Sequence, residues 1–288
     1  MARFLCLCVI VVSCVMQVSA DTIAYYNFEQ GTIGSSMQGS VTSDNTGGIY
    51  DLSAYPTSGN YAQFGSASGP QYPYTNQISV QSGIASSSDG YLSTTASAAD
   101  LTAMTQAMAG SFTIEAWIKP TREGTDLQSI ASVYDFGGPL ASNTLFFGLS
   151  ARNPDQYALY IEMSMTGNGS SNLGGVAAFN NNTFLNYGVW HHVALTWDAS
   201  TNYAQIFVDG GPQGTFDLAA SWWGSLNASG NTQFTIGRSA SYQYTGNIDE
   251  VRLSSDVLNA DQFLLNVPEP ISALSLLAGG LVLRLRRK

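Results

Sequence analysis

The stretch Val189-Trp-His-His-Val-Ala-Leu-Thr-Trp-Asp-Ala-Ser-Thr-Asn-Tyr-Ala-Gln-Ile-Phe-Val-Asp-Gly-Gly211 decides the fold. Two runs of β-branched and aromatic residues flank a turn-prone segment, 198–202, and a second turn follows at Asp209-Gly210. That order marks consecutive antiparallel hairpins. Alternation places His191, Val193, Leu195 and Trp197 on one face of the first run, and Trp190, His192, Ala194 and Thr196 on the other. In the second run Ala204, Ile206 and Val208 alternate with Tyr203, Gln205 and Phe207. Both faces are rich in apolar groups, which predicts a hairpin inside a layered β-structure and not one at a wet edge.

Strand signals continue on both sides of this hairpin. Residues 22–29 alternate as a first strand, and Phe112, Ile114, Ala116 and Ile118 alternate with Thr113, Glu115 and Trp117 before Pro120 closes the run. Further runs lie at 129–135, 144–150, 156–165, 175–179, 213–216, 233–237 and 246–253, separated by turn residues. So many short strands at this spacing predict an all-β, antiparallel β-sandwich. Between 31 and 100 the chain is mostly Ser, Gly, Asn, Gln and Tyr, with Tyr50, Tyr55, Tyr61, Tyr72 and Tyr74 spaced through it. Low charge and Pro56, Pro70 and Pro73 predict long loops with a few short strands there, not a second domain. One or two helical turns are expected at 101–108. A short helix is expected at 258–263, where Asn259 and Gln262 have capping-box spacing.

Five segments then occur in a recognisable order: Ser111-Phe-Thr-Ile-Glu-Ala-Trp-Ile118, Trp190-His-His-Val-Ala-Leu-Thr-Trp-Asp198, Ile206-Phe-Val-Asp-Gly210, Phe234-Thr-Ile-Gly237 and Gly246-Asn-Ile-Asp-Glu-Val-Arg252. Together they resemble the laminin-G-like, concanavalin-A-like jelly-roll domain. The opening Ala24-Tyr-Tyr-Asn-Phe-Glu29 and the closing helix fit as well, while 31–100 matches weakly. The resemblance implies two antiparallel sheets of roughly six or seven strands each. Many members of that family bind calcium at one rim of the sandwich. Asp89, Asp198, Asp209 and Asp249 are therefore candidate oxygen donors, although no contiguous Asp/Asn loop encodes a site.

The two ends of the chain look like addresses. Arg3, the apolar run 4–18 and the small residues of Val18-Ser-Ala20 read as a secretory signal peptide, 1–20, cleaved after Ala20. Lipoprotein processing at Cys14 is the rival, since Val11-Val-Ser-Cys14 loosely fits a lipobox. At the other end Pro268-Glu269-Pro270 precedes an apolar stretch, 271–283, and then Arg284, Arg286, Arg287 and Lys288. This tripartite segment, 267–288, resembles the PEP-CTERM sorting signal of Gram-negative-type bacteria, which an exosortase recognises. Its apolar helix would span roughly 20 Å, short of a ~30 Å hydrocarbon core, which favours a transient anchor over a permanent one. The expected organisation is thus a signal peptide, one exported domain over 21–266, and a sorting tail contacting the membrane. The location implied is the cell surface or extracellular matrix.

Composition narrows the chemistry. Only 10% of residues are charged and the net charge is −10. Within 21–266, nineteen acidic residues face five basic ones, a net of −14. Such a field repels phosphate backbones, so no nucleic-acid partner is expected. All three cysteines, Cys6, Cys8 and Cys14, precede residue 21, so the body folds on a hydrophobic core without disulfides.

Catalysis finds little support. Jelly-roll glycosidases set two carboxylates on one strand face at i, i+2 or i, i+4. The close acidic pair in a strand here, Asp249-Glu250, should point to opposite faces, with Glu250 paired to Arg252 two residues on. His191 and His192, the two histidines, are adjacent and read as packed residues; no His-Glu-x-x-His, Gly-x-Ser-x-Gly or Walker-type run accompanies them. Binding has more support. Trp222 and Trp223 lie together in a loop setting where both rings are hard to bury, and exposed aromatic rings stack on sugars. One of the two could instead cover a sheet edge. The tyrosine-rich 50–74 segment is a second candidate surface. The expectation is a non-catalytic binding or adhesion protein with a polysaccharide ligand. A structural matrix protein without a glycan ligand, or a glycan-active enzyme, is the alternative.

Overall fold

The computed structural model describes residues 21–55, 62–67, 78–82, 90–94, 96–108, 110–121, 127–135, 142–153, 156–163, 178–179, 185–217, 232–239 and 242–266. In chain order the strands begin with β1 (Thr22–Tyr26), β2 (Val41–Thr42), β3 (Leu52–Tyr55), β4 (Gln63–Ser66), β5 (Ile78–Ser82) and β6 (Tyr91–Thr94). Helix α1 (Ala98–Met108) follows, then β7 (Phe112–Pro120), β8 (Leu127–Asp135), β9 (Ser142–Asn153), β10 (Gln156–Met163), β11 (Ala178–Phe179) and β12 (Leu185–Asn186). The last are β13 (His191–Asp198), β14 (Tyr203–Val208), β15 (Gly211–Asp217), β16 (Thr232–Ile236), β17 (Arg238–Ser239), β18 (Tyr242–Gln243) and β19 (Gly246–Ser254).

They form the expected antiparallel sandwich. The first sheet runs β15-β14-β13-β7-β19-β5-β4, with β1 added on β19; the second runs β11-β10-β9-β8-β16-β6-β3-β2, with β12 added on β10. With eight and nine strands, both exceed the six or seven that the family resemblance implies. The surplus comes from the polar 31–100 region, which sends β4 and β5 to one sheet and β2, β3 and β6 to the other.

Between the sheets lies one continuous core. Tyr26, Phe28, Phe112, Phe147, Trp197 and Phe234 are wholly enclosed in it, each such side chain contributing about 1.5–3 kcal/mol on burial. The β13–β14 hairpin shows why both of its faces are apolar. Val193, Leu195, Trp197, Ala204, Ile206 and Val208 point inward, whereas Ala194 and Phe207 pack outward against Leu258 and Phe263. The chain folds back after β19 and lays residues 258–265 over the outer side of the sheet.

The turns follow the sequence closely. Asp209 (φ 50°) and Gly210 (φ 75°) join β14 to β15 as a two-residue loop with both φ positive, the turn whose twist matches flanking strands. At the other end of the hairpin Asn202 takes φ 59°, a conformation asparagine tolerates better than most residues. Helix α1 is longer than expected. Its start was encoded by Ser97-Ala-Ala-Asp100, where Ser97 Oγ donates to Asp100 Oδ2 at 2.6 Å and accepts from Asp100 N–H at 3.3 Å. The closing helix is a single 3-10 turn, Ala260–Gln262, with Gln262 Oε1 accepting from Asn259 N–H at 2.9 Å. Among the described residues no helix is long and apolar enough to cross a membrane.

Candidate functional site

The chemistry-bearing residues of the first sheet meet on its outer face, beneath the returning arm. Alternation along β7 turns Phe112, Ile114 and Ile118 into the core and leaves Glu115 and Trp117 facing outward. Register then aligns Glu115 with Ala194 on one side and Arg252 on the other, one row from His192. Glu115 is 0% exposed and fully employed. Its Oε1 accepts from Arg252 Nε at 2.7 Å and from Arg252 Nη2, and its Oε2 accepts from His192 Nε2 and from the Leu264 N–H, both at 2.8 Å. His192 Nδ1 is buried with no partner among the described residues. The proton therefore belongs on Nε2, since a bare lone pair costs less to bury than a stranded N–H.

Arg252 thus pairs with Glu115, not with Glu250 as alternation along β19 predicts. The cause is a register shift between Asp249 and Arg252, where Glu250 adopts φ 51°. A bulge breaks the two-residue period and turns the Glu250 carboxylate toward β1, where it accepts the Tyr25 hydroxyl. Asp249 accepts from the Glu250 N–H at 2.8 Å. Both acids are enclosed, at 0% and 1% exposure.

The three described candidate calcium donors, Asp198, Asp209 and Asp249, do not form a set. Asp198 and Asp209 sit at opposite ends of the β13–β14 hairpin, some six residues apart along the strand, or about 20 Å. Asp198 closes its own turn. Its Oδ1 accepts from Ser200 N at 2.8 Å and Oγ at 2.7 Å, and those bonds, the hydroxyl's foremost, with Thr201's help, lower its pKa. Asp209, read from the sequence as available for a ligand, is instead a clasp. Its Oδ2 accepts from His191 Nδ1 and its Oδ1 from the His192 N–H, each at 2.9 Å, while His191 Nε2 accepts from Asn186 N–H at 3.3 Å. Asp249 is buried in β19, and Asp89 lies outside the described residues. Among the described residues no three His, Cys, Asp or Glu side chains gather to hold a metal. Trp222, Trp223, the signal segment and the sorting residues Pro268, Glu269, Pro270, Arg284, Arg286 and Arg287 also lie outside the described residues.

A different surface stands out on the second sheet. Leu52, Leu92, Phe234, Leu145 and Leu159 point into the core, so their strand neighbours Ser53, Tyr55, Tyr91, Ser93, Phe146 and Tyr160 face outward. Tyr55 is 50% exposed and leans on Tyr91, its cross-strand partner, with ring centroids 5.4 Å apart. Arg238 sets its guanidinium carbon 5.5 Å from the Tyr91 ring centre, a favourable cation–π placement. Burial pushes the Tyr91 hydroxyl up to about 12, with Arg238 opposing the shift. Farther along the same face Tyr242, 36% exposed, stands edge-on to Phe146 at 5.7 Å, and Phe146 stands edge-on to Tyr160 at 5.5 Å. The short β17–β18 ribbon, which lies over β8, carries both Arg238 and Tyr242.

Between the two tyrosines the face is hydroxyl and amide. Ser93 Oγ donates to Gln233 Oε1 at 2.6 Å, and Ser132 and Thr235 hydroxyls meet at 2.7 Å. The stripe therefore offers two exposed aromatic faces, each backed by a buried ring. The Ser93, Ser132 and Thr235 hydroxyls between them are at most 3% exposed and engaged in internal bonds, Thr235 Oγ1 donating to the Arg238 carbonyl at 2.7 Å. Tyr55 falls in the tyrosine-rich 50–74 stretch that the sequence marked. Tyr91 was missed, although the alternation Gly90-Tyr-Leu-Ser-Thr94 puts it opposite inward Leu92; Tyr242 carried no such signal, because alternation would set it beside the core residue Tyr244.

Comparison with known proteins agrees with the architecture. The family model Laminin_G_3, described as the concanavalin A-like lectin/glucanases superfamily, matches residues 86–263. No curated protein matches the chain. Among solved structures, domain 4 of AbnA, an extracellular GH43 arabinanase of Geobacillus stearothermophilus in complex with arabinotriose, aligns with a TM-score of 0.54. That alignment has 15% identity and covers 86% of this chain and 98% of the domain. The binding domain of Botulinum neurotoxin DC, in complex with rat synaptotagmin II, gives 0.50 at 13% identity, over 85% of this chain and 50% of that one. The binding domain of Paraclostridial Mosquitocidal Protein 1 gives 0.50 at 11%, over 85% and 51%. At such identities the likeness is one of fold.

Proposed function

The chain belongs to the concanavalin A-like lectin/glucanases superfamily, and from that premise we propose that it is a non-catalytic glycan-binding protein of the cell surface or matrix. The observation that carries the proposal is the stripe on the second sheet, where Tyr55 and Tyr242 are exposed yet held by Tyr91 and Phe146. A ring already fixed in place loses little side-chain entropy when a sugar stacks on it. The absence of turnover in the proposal is supported by the enclosure of Glu115, Asp249 and Glu250. An acid that must reach a glycosidic oxygen needs an open approach, and all three are at most 1% exposed. The proposal includes export through the 1–20 segment and retention through the 267–288 tail by an exosortase-type machinery, with a transient membrane contact. These two rest on the sequence motifs alone.

The test is retention of the purified protein on a panel of insoluble and gel-embedded polysaccharides, in calcium and in chelator, for wild type and for Tyr55→Ala. Retention of the wild type that weakens in the variant supports the reading. Absence of retention on every polysaccharide, with self-association in its place, would favour a structural matrix role.

A further inference from the structure

The two ends of the stripe differ in charge. At the Tyr55 end the guanidinium of Arg238 lies over the Tyr91 ring, 5.5 Å from its centre, and Tyr55 leans on the same ring at 5.4 Å with a tilt of 33°. The strand order β3-β6-β16 brings Tyr55 to Tyr91 from one side and Arg238, two residues past β16, from the other. Tyr91 is buried beneath these neighbours, whereas Tyr55 is exposed and Arg238 is half-buried. The arginine is held through its backbone. Thr235 Oγ1 donates to its carbonyl at 2.7 Å; the preceding Gly237 N–H donates to the Ile130 carbonyl at 2.9 Å, and the Gly237 carbonyl accepts from Gln243 Nε2 at 3.1 Å. A cation–π contact uses the charge of a guanidinium and none of its five N–H donors.

The local sign of charge here differs from that of the acidic body. Burial raises the hydroxyls of Tyr26 and Tyr50 first, and carboxylates then push them further, Asp44 and Asp51 at Tyr26, Asp100 and Asp44 at Tyr50. At Tyr91 burial again comes first, but the one ionic charge acting on it among the described residues is Arg238, which opposes the rise. Charges beyond a Debye length, about 8 Å at physiological salt, are largely screened, so the net −14 of residues 21–266 does not set the sign at this corner. An equatorial carboxylate lies close to the mean plane of a pyranose ring. A uronic sugar stacked on the exposed face of Tyr55 therefore projects its carboxylate along the aromatic platform toward Tyr91, where a planar guanidinium fork matches both oxygens. We infer that Tyr55 and Arg238 form a subsite for a carboxylate-bearing sugar unit, with the sugar ring on Tyr55 and the carboxylate on Arg238. This rests on the glycan-binding reading above and names its substrate class.

The experiment is calorimetric titration of the full chain with galacturonate, mannuronate and glucuronate oligosaccharides, each beside its methyl ester, which keeps the sugar and removes the charge. A sulfated galactan oligosaccharide serves as a second anion, and each titration is run at low and at high NaCl. At least one acid should bind about tenfold or more tightly than its ester, with an affinity that falls as NaCl rises. Arg238→Gln should lower that affinity about tenfold and leave the ester unchanged. Arg238→Lys should keep only part of it, because lysine lacks the planar fork, and Tyr55→Ala should weaken acid and ester alike. The comparison of acid with ester is made on the wild type, so it stands whether or not a variant folds. Equal affinity for acid and ester, preference for the sulfated oligosaccharide, or retention on neutral polysaccharides alone overturns the inference and leaves the glycan-binding reading standing. So does an Arg238→Gln variant, folded by circular dichroism, that binds the acid as the wild type does. Binding to none of these sugars and to no polysaccharide on the retention panel overturns both.

Discussion

Glu115→Gln tests the polar junction that closes the first sheet. The substitution keeps volume and shape but converts an acceptor of four bonds into a group with one oxygen and two N–H donors. In the native arrangement those four bonds come from Arg252 Nε and Nη2, His192 Nε2 and the Leu264 N–H. With an amide in place of the carboxylate, at least one donor faces another donor, and the Arg252 guanidinium, 13% exposed, loses its counter-charge. Removing one partner of a buried ion pair costs about 3–5 kcal/mol, which lowers the melting temperature by roughly 6–20 °C for a domain of this size. Thermal unfolding followed by circular dichroism measures the shift, and hydrogen exchange reads the arm directly. The Leu264 amide, protected in the wild type, should exchange freely in the variant well below the melting temperature. Joint replacement, Glu115→Leu with Arg252→Met, should recover part of the loss, because it removes both charges. Recovery stays incomplete while Leu264 N–H and His192 Nε2 lack an acceptor, at about 1–3 kcal/mol each. A melting shift under about 2 °C, with Leu264 protection intact, would refute the reasoning, since a surface substitution does no more.

Two further outcomes follow from the turns and the tyrosines. Gly210→Ala sets a β-carbon where φ is 75° and brings it within 2.8 Å of Leu265 Cδ2; a loss of about 1–3 kcal/mol is expected in chemical unfolding, larger than for Gly47→Ala, which has a similar φ and open space. The hydroxyls of Tyr26, Tyr91, Tyr157 and Tyr244 are all raised by burial, Tyr91 to about 12. A folded-state value above the unfolded one near 10 gives stability that is whole below pH 10 and is lost as pH rises through the folded value. Stability should therefore fall from pH 10 to pH 12, and ultraviolet titration should find the tyrosinate signal of these residues delayed until unfolding; a normal titration at pH 10 with the fold intact would contradict their burial.

Much of this molecule was legible in its residue order, and the reason is local. A strand's period of two and the φ demands of a tight turn are properties of neighbours in sequence. They placed the β13–β14–β15 ribbon, the Asp209-Gly210 loop and the inward Val193, Leu195 and Trp197 without reference to anything distant. Even the doubly apolar hairpin announced a cover on its outer side. What that cover was could not be read, because Phe263 meets Ala194 and Phe207 only after the chain has returned from β19.

The errors have the same origin. One bulge in β19 redirected Glu250 to Tyr25 and left Arg252 for Glu115, 137 positions away in sequence. The contacts of Asp209 were hidden likewise, because its histidine partners stand 17 and 18 positions earlier in the chain. The tyrosine stripe escaped notice for a stronger reason. Tyr55 and Tyr91 belong to separate strands of one sheet and Tyr242 to the β17–β18 ribbon, and only the tertiary packing brings their rings to a common face. The amino-acid sequence alone determined the class of fold, the core-facing residues and the acidic, disulfide-free body, since each depends on composition or short-range periodicity. The tertiary structure decided which charges meet and which aromatic rings stay exposed, because those depend on pairing between strands far apart in the chain.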